Sequence, residues 1–211
     1  MESNLKIDCL INGELETNTY FLISKDKKAI IVDPADGKMV LDYLKGNGLI
    51  PEKIVNTHGH YDHISGNLYL KNYFDIPICV GVKDYDFLMD PELNMSYYIG
   101  DNYISPQPEV LLDEGYFLYF GEEKIMILST PGHTPGSITL KIGNNIISGD
   151  LIFKEGIGRT DLFGGDYKSI IESIKKIFSN INYETKIFPG HGFFGEAEQF
   201  SEILKEFNIR I

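Results

Sequence analysis

Apolar and polar positions divide the chain into two stretches of similar outline, each a set of short strands followed by helix and strand. Residues 5–11 alternate apolar and polar, the period of a half-buried strand. Residues 14–19 read as a turn, residues 20–23 as the next strand, and residues 24–28 as a tight hairpin end. A third strand over residues 29–32 stops at Asp33-Pro34, because proline cannot donate into a ladder. Met39, Val40, Tyr43 and Leu44 then fall at helical spacing, with Gly46 or Gly48 as the stop. A strand over 53–57, a helix over 65–74 and a strand over 78–80 follow, an alternation that implies parallel pairing with the helices outside the sheet. Residues 84–108 show too little periodicity for an element. A loop this long in a compact fold is often a binding loop or lid, which makes Tyr97 and Tyr98 candidate walls of a substrate cleft or aromatics packed under a surface loop. Strands resume over 116–120, 124–128, 137–142 and 145–148, the last two joined by a turn at Gly143-Asn144-Asn145. Ile170, Ile171, Ile174 and Ile177 mark one face of a helix over 166–178. A strand over 186–188 and a helix over 196–207 close the chain. No Ser/Gly/Pro-rich linker interrupts residues 1–211, so a single domain of two stacked sheets flanked by helices is expected.

Composition narrows the function. A hydrophobic content of 43% is enough for a sizeable core that needs no disulfide. Cys9 and Cys79 sit in apolar strand-like runs and read as buried thiols. The net charge of −12 disfavours a nucleic acid or an anionic membrane as partner. No apolar run approaches the roughly 18 residues of a membrane span. The start Met1-Glu2-Ser3-Asn4-Leu5 has no basic region before an apolar block, so a cytoplasmic protein is expected. A monomer and a homodimer both accommodate these features.

The chemistry concentrates in Thr57-His58-Gly59-His60-Tyr61-Asp62-His63, which holds three of the five histidines. The other two are His133, in Thr130-Pro131-Gly132-His133, and His191, in Pro189-Gly190-His191-Gly192. Imidazoles and carboxylates at this density are the donors that hold Zn²⁺ or Fe²⁺. Each candidate follows an expected strand or lies in the turn after one, where rigid scaffolds present catalytic groups. Asp150 joins them after the strand 145–149. Five His with Asp62 and Asp150 are too many for one tetrahedral ion with an open position, and they suit two metals sharing a carboxylate.

These motifs resemble the metallo-β-lactamase superfamily, in its short bacterial glyoxalase II-like hydrolase branch. Further matches are Asp33 after the third strand, Ser148-Gly149-Asp150 and Gly158-Arg159-Thr160-Asp161. The resemblance runs from about residue 5 to about residue 195. It implies a four-layer αββα sandwich of two mixed sheets flanked by helices. It implies one metal on His58, His60 and His133, a second on Asp62, His63 and His191, and Asp150 bridging them. Zn²⁺ is the expected ion, with Fe²⁺ or Mn²⁺ as alternatives. Asp33 is either an acceptor for a ligand ring N–H or a turn carboxylate before Pro34. A hydroxide shared by two dications would attack a carbonyl carbon, with the oxyanion stabilised by one metal. A thiolate leaving group needs no strong general acid, so a small anionic thioester such as S-lactoylglutathione is the expected substrate.

The chain departs from full-length glyoxalase II enzymes in its C-terminal part. Only 20 residues follow His191, too few for the helical domain that supplies their glutathione contacts. Arg159, one of two arginines, either anchors a substrate carboxylate or pairs with one of the protein's own, such as Asp161. The rival readings are a persulfide dioxygenase, with one iron on His58, His133 and Asp150, and a metal-binding module without turnover.

Overall fold

The computed structural model describes residues 4–207 and 209. Two compact units emerge, Asn4–Leu112 and a second beginning at Asp113.

The first unit opens on an antiparallel meander, β1 (Lys6–Asn12), β2 (Thr17–Ile23) and β3 (Lys28–Val32). Strand β2 begins three residues before the expected position and is buried throughout. Thr17, Asn18 and Thr19 look like turn residues. Yet the Thr19 hydroxyl donates to the Asp33 carbonyl at 2.6 Å and accepts from Asn12 Nδ2 at 2.8 Å. A buried polar strand is tolerated where its side chains find partners inside.

Helix α1 (Gly37–Asn47) starts where the Asp36 carboxylate accepts the backbone N–H groups of Lys38 and Met39, and Gly48 ends it in the left-handed region. Val40, Leu41 and Leu44 form its buried face, while Met39 is turned outward. Strand β4 (Ile50–Asn56) runs parallel to β3, with a register shift opposite Ala29 and Ile30. After it come a single turn, α2 (Tyr61–Ile64), and α3 (Asn67–Phe74). Strand β5 (Ile78–Gly81) lies parallel to β4. The stretch expected to be irregular contains α4 (Tyr85–Met89) and a 3-10 turn at Ser96–Ile99, and then β6 (Val110–Leu112) lies parallel to β5. The sheet order is β1-β2-β3-β4-β5-β6, so the parallel pairing expected around the helices holds. Phe21, Ile31, Leu44, Ile54, Leu70 and Ile78 are fully buried in the core of this unit.

The second unit repeats the scheme with β7 (Phe117–Phe120), β8 (Glu123–Ser129), β9 (Ile138–Ile142) and β10 (Asn145–Gly149). A two-stranded ribbon follows, β11 (Ile152–Phe153) with β12 (Gly156–Ile157), and then α5 (Tyr167–Phe178). Next come β13 (Lys186–Pro189), β14 (Gly195–Glu196) and α6 (Ser201–Glu206), the last preceded by a 3-10 turn at Ala197–Phe200. The order β14-β13-β10-β9-β8-β7 is antiparallel except for the parallel β10–β13 pair. Ile170, Ile174 and Ile177 bury one face of α5, with Ile171 at its edge. Cys79 is buried as expected, whereas Cys9, on edge strand β1, is only half-buried. Among the described residues no helix is long and apolar enough to cross a membrane.

Candidate metal centre

Strand β4 lies between β3 and β5, and its C-terminal end delivers His58 and His60. Both are buried, as is His63 on α2. The His58 and His63 rings lie 4.1 Å apart, and the His58 and His60 rings stand perpendicular at 4.9 Å. Asp62 Oδ2 is 3.3 Å from His63 Nε2. Two ligand atoms on one tetrahedral ion, each at about 2.0–2.1 Å, are separated by roughly 3.3 Å, so this pair has the spacing of shared ligands.

Asp33 organises the imidazoles. Its carboxylate is buried; Oδ1 accepts the Thr57 N–H at 2.7 Å, and Oδ2 accepts the Thr57 hydroxyl at 2.6 Å and His63 Nδ1–H at 3.0 Å. The one Thr57 hydroxyl proton is committed to Asp33. Its oxygen, 3.2 Å from His58 Nδ1, therefore accepts the proton of that nitrogen. His58 and His63 both carry their proton on Nδ1, which leaves Nε2 as the nitrogen able to ligate a metal.

Two supports were not visible in the sequence. The buried Asp84 accepts the Gly59 N–H at 2.9 Å, fixing the turn between His58 and His60. The signal that could have found it is its place just past β5, beside the strand that delivers the histidines. Asn56 donates to the His63 carbonyl at 3.0 Å and is itself held by Asn67. The aperiodic segment after α4 clamps the same region. The Tyr61 N–H donates to the Asn94 carbonyl at 2.8 Å and the Tyr103 hydroxyl to the Ile64 carbonyl at 3.0 Å. Tyr97 and Tyr98 are exposed and edge-to-face with each other at 5.4 Å. From their turn it is Ile99 that lines a cavity of about 680 Å³ with Asp62 on its wall.

In the second unit, His133 sits in a turn packed on the start of α5. A Cβ on Gly132 would lie 2.3 Å from the Ile170 nitrogen, and Gly132 has a φ of +137°, so only glycine fits. The Ser173 hydroxyl holds the Pro131 carbonyl at 2.7 Å. His133 Nδ1 donates to the Arg159 carbonyl at 2.8 Å, again leaving Nε2 as the nitrogen able to ligate a metal. The parallel β10–β13 register places Gly149 opposite Pro189, and the Gly190 N–H donates to the Gly149 carbonyl at 2.9 Å. Asp150 and His191 thereby emerge side by side. Asp150 Oδ2 lies 3.6 Å from His133 Nε2 and 3.6 Å from His191 Nε2. Together with Phe153, Ile157 and Arg159 they line a cavity of about 480 Å³. The Arg159 guanidinium forks onto Asp161 with two contacts of 2.8 Å, the pairing that was the alternative to a substrate anchor. The Arg159 partner holds the Asp161 carboxyl down at about 2.

Comparison with known proteins decides the family. A family model described as metallo-beta-lactamase superfamily matches residues 12–191. The chain belongs to the metallo-β-lactamase superfamily. Within it, the chain is similar to the probable metallo-hydrolase YqgX of Bacillus subtilis, 36% identical over 184 residues that cover 85% of this chain and 87% of the relative. The hydroxyacylglutathione hydrolase GloC of Haemophilus influenzae is 29% identical over 200 residues, 89% of this chain and 91% of GloC. Two solved structures, each covering 93% of this chain, extend the likeness. The BLEG-1 B3 metallo-beta-lactamase has a TM-score of 0.88 at 32% identity and is itself 97% covered. A di-iron-bound form of TTHA1623 has 0.84 at 29% and is 98% covered. The expected fold class holds: two mixed sheets with flanking helices in the metallo-β-lactamase fold. Membership with this His and Asp donor set implies divalent metal binding. The imidazole and carboxylate donors and their Nδ1 hydrogen bonds fit such an ion.

Proposed function

We propose that the chain is a binuclear metal-dependent hydrolase of thioesters. In this reading His58, His60 and His133 hold one ion, and Asp62, His63 and His191 hold the other. Asp150 serves both, and Zn²⁺ is the resident metal. The observation that carries the binuclear reading is the Asp150 carboxylate: one oxygen stands at ligand–ligand spacing from both His133 and His191. Bound divalent ions lower the pKa of water and polarise a carbonyl. The protein's own part is to hold the ligand nitrogens unprotonated and aimed. Asp33 does this for His63 directly and for His58 through Thr57, and the Arg159 carbonyl does it for His133. The kinship with GloC, a hydroxyacylglutathione hydrolase by name, favours a thioester as substrate. Arg159, exposed beside the ligands of the second unit, could exchange Asp161 for a substrate carboxylate at small cost, since exposed pairs contribute little.

The test is metal analysis of protein purified without added metal, coupled to hydrolysis assays on S-lactoylglutathione, other acyl thioesters and a β-lactam. Two ions per chain with thioester turnover is the expected result. One iron per chain, no hydrolysis and oxygen uptake with glutathione persulfide would overturn it.

A further inference from the structure

The cavity of about 680 Å³ beside Asp62 is walled in part by exposed apolar side chains. Leu15 is 65% exposed, Met39 44%, Tyr69 46% and Ile99 63%, and all four converge on this space with Tyr61. Scattered exposed apolar residues need no explanation, but four from separate elements around one concavity do. The volume falls in the range of small-molecule sites, which are mostly apolar with few polar groups. Its walls are fixed. The Asp36 N–H donates to Asn12 Oδ1 at 2.7 Å, tying the β1–β2 hairpin to the loop after β3, and the Ser65 hydroxyl holds the Ala35 carbonyl.

Charge decides which part of a substrate can enter. Glu14, Asp36 and Asp62 line the cavity with a single cation, Lys38, and the Asp36 carboxylate is already engaged in capping α1. An anionic carrier is disfavoured here, and an uncharged hydrocarbon is not. We infer that this cavity is the acyl subsite, and that it selects thioesters of apolar acyl groups over short hydroxyacyl groups such as lactoyl. The inference rests on the thioesterase reading for its reaction and on the cavity alone for its binding.

Two measurements separate these. N-acetylcysteamine thioesters from acetyl to octanoyl are uncharged and differ only in the acyl chain. On the metal-loaded enzyme kcat/KM is expected to rise about two- to fourfold per methylene along the series, carried by KM. Met39→Asp or Leu15→Asp, both at exposed positions, is expected to cut the hexanoyl-to-acetyl ratio at least tenfold. Independently of turnover, ¹³C-methyl methionine spectra follow Met39, identified by its loss in Met39→Leu. The probe is the ketone in which CH₂ replaces the sulfur of the hexanoyl thioester. A saturable shift of the Met39 methyl is expected in metal-free and metal-loaded protein. An unmoved Met39 signal overturns the subsite, and so does a flat chain-length series with acetyl hydrolysis intact, which leaves the thioesterase standing. A shifted Met39 with no thioester hydrolysed keeps the subsite and overturns the reaction.

Discussion

Replacing Asp33 by Asn tests whether its carboxylate sets the state of the histidines. The backbone there is left-handed, φ 53°, a region Asn occupies as readily as Asp, so the change is confined to the side chain. The substituted amide can still accept the Thr57 N–H through its oxygen. At the other position it presents an N–H₂ where Oδ2 now receives two protons, from the Thr57 hydroxyl and from His63 Nδ1. To avoid two donors facing each other, His63 must move its proton to Nε2, the nitrogen 3.3 Å from Asp62 Oδ2. A protonated nitrogen cannot ligate a metal. Loss of such a supporting contact typically lowers metal affinity 10- to 100-fold, or about 1.4–2.8 kcal/mol. The assay is titration of metal-free protein against a chromophoric chelator, with urea unfolding of the same preparation to show that it is folded. The expected result is weaker metal binding, most marked for the ion proposed at His63, which Asp33 contacts directly, with the ion proposed at His58 affected through Thr57. A folded Asp33→Asn protein that binds every ion with unchanged affinity would refute the reasoning.

Thr57→Val, nearly isosteric but without the hydroxyl, removes the acceptor of His58 Nδ1 and is expected to weaken metal binding about tenfold in the same titration, with Thr57→Ser restoring it. Gly158→Ala would place a Cβ 1.8 Å from the Asp150 carbonyl oxygen, whereas a Cβ on Gly156 would meet nothing within 4 Å. The first is expected to cost about 1–3 kcal/mol in urea unfolding and to weaken metal binding, and Gly156→Ala to be nearly neutral. Burial pushes the Cys79 thiol up to about 12, and burial together with the Asp8 charge pushes Cys9 up to about 11. Neither should react with Ellman's reagent at pH 8 until the protein unfolds. Because these folded-state values are raised, their contribution to stability is present below the ordinary thiol range and is lost as pH rises from about 9 towards 11 and 12. Chelation is expected to lower Tm while leaving a cooperative transition, since an ion at 1,000 times its Kd adds only about 4 kcal/mol to a fold with its own core.

The candidate ligands were legible because their chemistry is local: four donors within six residues, and three more each just past a strand. What the sequence could not give was register. Asp150 and His191 are 41 positions apart, and they meet because Gly149 stands opposite Pro189 in a parallel pair. Asp84 was invisible for a similar reason, its partner being a backbone N–H that carries no side-chain signature. Polarity misled at Thr17–Thr19, where hydroxyls read as a turn are satisfied inside a buried strand. The segment 84–108 has no hydrophobic period because much of what fixes it is side chain to backbone. Asn94 Nδ2 donates to the Tyr103 carbonyl, and Ser96 Oγ accepts the Tyr103 N–H.

These misses share a cause with bearing on function. The contacts that periodicity does not report are the ones that hold the ligand loops: Asp33 on Thr57 and His63, Asp84 on Gly59, Asn56 on the His63 carbonyl, and Asn94 on Tyr61. All are made by the protein alone. A site so held loses little conformational entropy when an ion binds, because the imidazoles it would otherwise have to orient are already fixed. Asp33 joins the strands to the ligands, since one carboxylate sets the tautomers of two histidines while its own backbone carbonyl anchors Thr19 in β2. The polar interior of the first unit is thus the frame of the metal loop.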